Sequence, residues 1–147
     1  MVTKKTKLLY LISVSILLCY TMVLIENYNK ISDIVPSHID ITGKIDQYSN
    51  KKSLIVITIV NIIILSFIWL LIKKPHLANY PLEITEVNKV SIYKKMQVFL
   101  AIIAIITTSA FSYLIFKTVH YENEFIYFLF YIIISPLLVL LFFNNKY

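Results

Sequence analysis

The chain is 147 residues long, 59% hydrophobic and only 15% charged, with a formal net charge of +6. Soluble globular domains carry about a quarter of their residues as charges, so the composition excludes that class, and a single cysteine, Cys19, excludes an internal disulfide framework. All 14 basic residues are lysines, placed in short clusters beside apolar runs. A nucleic-acid surface would gather them on one polar face, and no nucleic-acid partner is expected.

Four apolar runs dominate the chain, at 8–25, 54–72, 97–116 and 125–143. Each matches the roughly 20 residues that a helix needs to cross about 30 Å of hydrocarbon. The expectation is an all-α membrane protein in one domain, with four transmembrane helices and an ordered outer loop between helices 1 and 2. The N-terminal lysines followed by the first run resemble a signal peptide. That run exceeds a typical signal core and no A-x-A-like cleavage site follows, so an uncleaved span is expected.

The first run carries Ser13, Ser15 and Thr21, whose hydroxyls can bond helix carbonyls or reach a neighbouring helix. Tyr10, Trp69, Tyr113 and Tyr127 near run ends fit interfacial anchors. In the second run Asn61 is a carboxamide at membrane depth, so it should face the bundle interior and bond across helices. Lys73-Lys74-Pro75 ends that run. In the following segment Thr85 and Asn88 are placed to cap a helix that enters the third span.

The third run has small residues at Ala101, Ala104, Thr108 and Ser112, a spacing that lets another helix approach closely. Asn61, Ala104, Thr108 and Ser112 are therefore assigned to the bundle interior. None of the spans holds a carboxylate or lysine, which weighs against proton- or ion-coupled transport. In the fourth run, Pro136 should bend the helix.

The lysines orient the chain. With the N-terminus inside, nine fall on the cytoplasmic side and five outside, and six of the eight acids fall outside. Both termini are expected in the cytoplasm of a bacterial inner-membrane protein, with the 31–52 loop facing outward.

That loop concentrates the polar chemistry and holds the only glycine, Gly43. Pro36 favours an extended approach and Gly43 a turn with positive φ, while Asp40 and Thr42 can bond nearby backbone N–H groups. Asp46 and Lys51 can form an ion pair or lie at headgroup level. His38 with Asp40 and Asp46 offers a three-ligand metal set, yet no Cys pair or H-E-x-x-H helix accompanies it, and no metal or other cofactor is assigned. Ser37 and Ser49 lack a nucleophile's context, so no catalytic residue is assigned.

The pattern Pro36-x-His38, Gly43-x-x-Asp46 and Lys51 resembles the signature of domain-of-unknown-function family 1648, small membrane proteins related to the SdpI immunity proteins of bacteria. A second stretch, Asn79-Tyr80-Pro81-x-x-x-Thr85-Glu86-x-Asn88, resembles the family's segment after its second span. Ile39-Asp40 and Ser49 depart from the family's usual aromatic pair and glycine. The resemblance implies a four-span fold, protection against a secreted peptide, and Pro36, His38, Gly43, Asp46 and Lys51 as functional positions.

With Asp40 added, these residues are read as the binding set. The expected partners are the lipid bilayer, an extracellular amphipathic peptide and a cytoplasmic regulator. The alternatives are a metal-binding or catalytic role for His38, Asp40 and Asp46, and a structural membrane scaffold.

Overall fold

The computed structural model describes residues 2–40, 42 and 44–120. It consists of three long helices, α1 (Lys4–Asn27), α2 (Lys52–Lys73) and α3 (Lys89–His120), with a β-hairpin between the first two. The strands are β1 (Ile34–Ile39) and β2 (Ile45–Asn50). The expected all-α architecture is therefore corrected: the loop between helices 1 and 2 folds as an antiparallel sheet. The run at 125–143, with Pro136, lies outside the described residues.

Local chemistry sets the helix ends. Thr3 caps α1 by accepting from the Thr6 N–H at 3.1 Å. Asn50 Oδ1 accepts from the Lys52 N–H at 3.0 Å as α2 begins. Pro75, two residues past the end of α2, cannot continue it. Before α3 the expected cap is present: the Thr85 N–H donates to Asn88 Oδ1 at 2.8 Å and the Asn88 N–H returns to Thr85 Oγ1 at 3.4 Å. This is a capping box with Asn in the Glu/Gln position, and it starts α3 at Lys89, eight residues before the apolar run expected at 97.

All three helices are long and apolar enough to cross a membrane. Their packing is inverted relative to a soluble bundle. Leu8, Leu11, Leu18 and Met22 of α1 and Val56, Ile59, Ile63 and Phe67 of α2 point outward, whereas Thr6, Ser13, Thr58, Asn61, Gln97 and Thr108 are buried. In water this arrangement would expose apolar surface at a cost of about 25 cal/mol per Å²; in lipid it costs nothing, and the interior polar groups gain partners.

The core divides into two apolar clusters. Leu65, Ile68 and Ile72 meet Met96, Leu100, Ala101 and Ala104 at one end. Tyr20, Leu24, Ile31, Val35, Leu54 and Ile115 meet at the hairpin end. Side-chain hydrogen bonds cross between helices along this axis: Gln97 Nε2 donates to Ile72 O, Tyr10 OH to Leu65 O and Asn61 Nδ2 to Tyr20 OH, each at 2.9 Å. Tyr10 also stacks on Trp69, with centroids 4.6 Å apart, so this pair joins α1 to α2 beyond the anchoring expected of it. Ser13 and Ser15 bond back to Tyr10 O and Leu11 O.

Counting eleven residues from the Gln97–Ile72 bond along the antiparallel α2 and α3, about three turns, reaches Asn61 on one helix and Thr108 on the other. Both are fully buried. Asn61, Ala104 and Thr108 thus occupy the interior as expected, while Ser112 is only half-buried. Along α2 and α3 a polar layer of Thr58, Asn61 and Thr108 falls between the members of the two apolar clusters. Within it Asn61 Oδ1 and Thr108 Oγ1 have no hydrogen-bond partner among the described residues.

Candidate functional site

The hairpin stands at the end of the bundle where α1 stops and α2 starts. Its register pairs Ile34 with Asn50, Val35 with Ser49, Pro36 with Tyr48, His38 with Gln47 and Ile39 with Ile45. Ser37 is therefore an extra residue on β1 and Asp46 an extra residue on β2. These two bulges bend the tip and re-aim the side chains around them.

One face of the hairpin is seated. Val35 is 2% exposed and joins the cluster of Leu24, Leu54 and Ile115. The other face is open. Ile34 and Tyr48 are exposed, and an open groove is lined by Pro36, Lys44, Ile45 and Tyr48. Alternation along a strand forces this division once Val35 is buried.

The tip is tied by one carboxylate. Asp40 Oδ1 accepts from the Thr42 N–H at 2.8 Å, the Thr42 hydroxyl at 2.7 Å and the Lys44 N–H at 2.9 Å. The Asp40 N–H donates to Lys44 O at 2.8 Å and closes the turn. The Thr42 hydroxyl, then the Lys44 N–H, hold the Asp40 carboxyl below the usual aspartate range, because they stabilise its charged form. The expected Asp40–Thr42 turn chemistry is present. Gly43, expected to supply a positive φ, lies outside the described residues.

Asp46 and Lys51 do not pair with each other, and here the expectation is corrected. His38 Nδ1 donates to Asp46 Oδ1 at 2.5 Å, which leaves Nε2 as the imidazole's free nitrogen. Lys51 Nζ meets Asp33 Oδ1 at 3.0 Å and Ile31 O at 3.2 Å, and lies 5.1 Å from the Tyr28 ring centroid. The two bulges put Asp46 within reach of His38, and the strand end puts Lys51 over the start of β1. Lys51 is thus a clasp at the base of the hairpin, with its charge already occupied.

These positions bear on chemistry. Asp40 is committed to the turn amides, so His38, Asp40 and Asp46 do not form one ligand set; among the described residues no three His, Cys, Asp or Glu side chains converge on a metal position. The Ser49 hydroxyl donates to Ser53 Oγ at 2.9 Å, away from the His38–Asp46 pair. Among the described residues no serine hydroxyl or cysteine thiol is hydrogen-bonded to His38, whose partner is Asp46.

The residue-by-residue reading of the loop missed Tyr48, which forms the aromatic wall of the groove, and Asp33, which holds Lys51. Tyr48 carried a signal: in a strand that follows a turn, it is the large aromatic at an alternating position. Asp33 carried none, since its partner is 18 residues away in the chain.

Comparison with known proteins finds no matching family model, no similar curated protein and no similar solved structure.

Proposed function

We propose that this chain is an integral membrane binding and protective module of the kind typified by the SdpI immunity proteins. Its hairpin engages a peptide or membrane partner on the outer face of a bacterial inner membrane. The observation that carries the reading is the two-sided hairpin. One face is anchored on the bundle through Val35, and the other presents Ile34, Pro36, Tyr48 and Lys44. An element with no role beyond connecting two spans needs neither a seated face nor an open one.

An amphipathic peptide at the bilayer surface would meet apolar and hydrogen-bonding groups on this face together. The loop positions Pro36, His38, Gly43 and Asp46 then shape the recognition element, and Lys51 holds its base. The lysine bias places the hairpin outside and the N-terminus and the 74–88 linker inside, where a cytoplasmic regulator would have access. The four-span membership of family 1648 belongs to the same proposal.

The test is a protection assay in bacteria producing the protein, challenged with secreted amphipathic peptide toxins. Producing cells should survive concentrations that kill non-producing cells. His38→Ala and Asp46→Ala should lose that advantage while still reaching the membrane. Equal killing with and without the protein would reject the protective role, and full protection by both variants would remove the hairpin from it.

A further inference from the structure

A two-stranded sheet has two outer edges, and in this hairpin they differ. The Lys51 N–H donates to Asp33 O at 2.9 Å, which makes Asp33 and Lys51 a hydrogen-bonded pair in line with the register Ile34–Asn50, Val35–Ser49 and Pro36–Tyr48. Bonded and non-bonded pairs alternate along an antiparallel ladder. Val35–Ser49 is therefore a bonded pair. Ile34, Pro36, Tyr48 and Asn50 turn their backbone N–H and C=O groups to the outer edges.

On β1 that edge is closed. Pro36 has no N–H to offer, the Ile34 N–H donates to Ser32 Oγ at 3.4 Å, and Ser37 interrupts the strand as a bulge. These are the usual devices that stop a strand from recruiting another. On β2 the outward groups belong to Tyr48 and Asn50, both exposed. The charges are just as uneven. Asp46 is held by His38, Lys51 by Asp33 and Asp40 by the turn. Lys44, on the wall of the groove, is the hairpin's only lysine outside a direct ion pair among the described residues, and its charge also acts on the neighbouring Asp40 carboxylate.

We propose that the outer edge of β2 takes the extended backbone of an acidic peptide as a third strand, with a peptide carboxylate meeting Lys44 and an apolar side chain on Pro36 and Tyr48. This rests on the peptide-binding reading above and names the edge and the chemistry of the partner. Strand addition of this kind draws affinity from main-chain hydrogen bonds and selectivity from alternate side chains. A second copy of the chain fits less well, because pairing β2 with itself about Tyr48, the register its outward groups allow, sets Lys44 opposite Lys52.

The full-length protein in lipid nanodiscs, offered a random library of capped octapeptides, should enrich sequences carrying Asp or Glu. N-methylation at alternate residues should abolish that enrichment, since it removes the donors of a strand. Tyr48→Pro deletes the outward N–H of β2 without breaking the ladder and should weaken the enriched peptides by about tenfold, the equivalent of roughly one hydrogen bond. Tyr48→Val separates the loss of the aromatic ring from the loss of the N–H. Lys44→Glu should turn the preference from acidic to basic peptides.

No enrichment over empty nanodiscs, equal binding of N-methylated peptides, or enrichment of uncharged sequences would overturn the proposal, and each is read on the unaltered protein. If hairpin substitutions abolish protection in cells while N-methylation leaves binding intact, strand addition fails and the protective reading stands.

Discussion

Asp40 and Lys51 carry opposite charges and do the same kind of work, which is holding the two ends of the hairpin. Asp40 accepts three hydrogen bonds within the turn, and its carboxyl is held below the ordinary aspartate range. A carboxylate whose folded pKa is depressed contributes stability that is present above its unfolded value, about 3.9, and lost as pH falls through the folded value. The Thr42 and Lys44 amides should therefore stay protected through pH 4 and open only at more acid pH. An NMR titration of those two amides measures this, and Asp40→Asn should remove the transition. Lys51 is only partly buried and Asp33 is exposed, so their ion pair alone is weak; with the Ile31 carbonyl and the Tyr28 ring it should contribute about 1–2 kcal/mol. Lys51→Met should speed amide exchange at Ser49 accordingly. Unchanged exchange there would show that the clasp is ornamental.

At the level of elements, the helices are joined by single side-chain bonds, because apolar contact between helices gives little advantage over contact with lipid. The bond from Asn61 to Tyr20 lies in the polar layer between the two apolar clusters. A double-mutant cycle of Asn61→Leu and Tyr20→Phe should give a coupling of about 0.6 kcal/mol, and at most about 1.7 kcal/mol, as measured for bonds between membrane helices. Reversible unfolding in detergent mixtures or bilayers reads that value. Zero coupling would mean that the two groups find equivalent partners elsewhere in the layer. The inward face of α1 carries Thr6, Ser13 and Tyr20, seven residues apart and all buried; of the three hydroxyls singled out in the sequence, Ser13, Ser15 and Thr21, only Ser13 belongs to this stripe, and Ser15 is exposed.

At the level of the whole molecule, α2 is long and apolar enough to cross a membrane, and the proposed crossing would put the hairpin and the 74–88 linker on opposite sides of a bilayer. In a Cys19→Ala background, Gln47→Cys should react with a membrane-impermeant maleimide on intact cells, and Val87→Cys only after permeabilisation. Val87 is 96% exposed, so access to it is decided by the membrane alone. Labelling of Val87→Cys on intact cells would reverse the orientation and with it the proposed function.

What the sequence determined by itself was the placement of three of the four expected apolar helices, the capped start of α3, the interior position of Asn61 and the location of the polar segment that forms the hairpin. Each follows from terms that are local or additive along the chain: hydropathy summed over a run, a side chain four residues or fewer from the amide it caps, and the cost of an amide facing lipid. What only the tertiary structure decided was the strand register, with its bulges at Ser37 and Asp46, and therefore that His38 meets Asp46, Lys51 meets Asp33 and the open face belongs to Tyr48. Register depends on Val35 finding its place against Leu24, Leu54 and Ile115 from three different helices. A one-residue slip exchanges the two faces of a strand, so side-chain partners across the hairpin are set by packing on the bundle, which no pattern within the loop encodes.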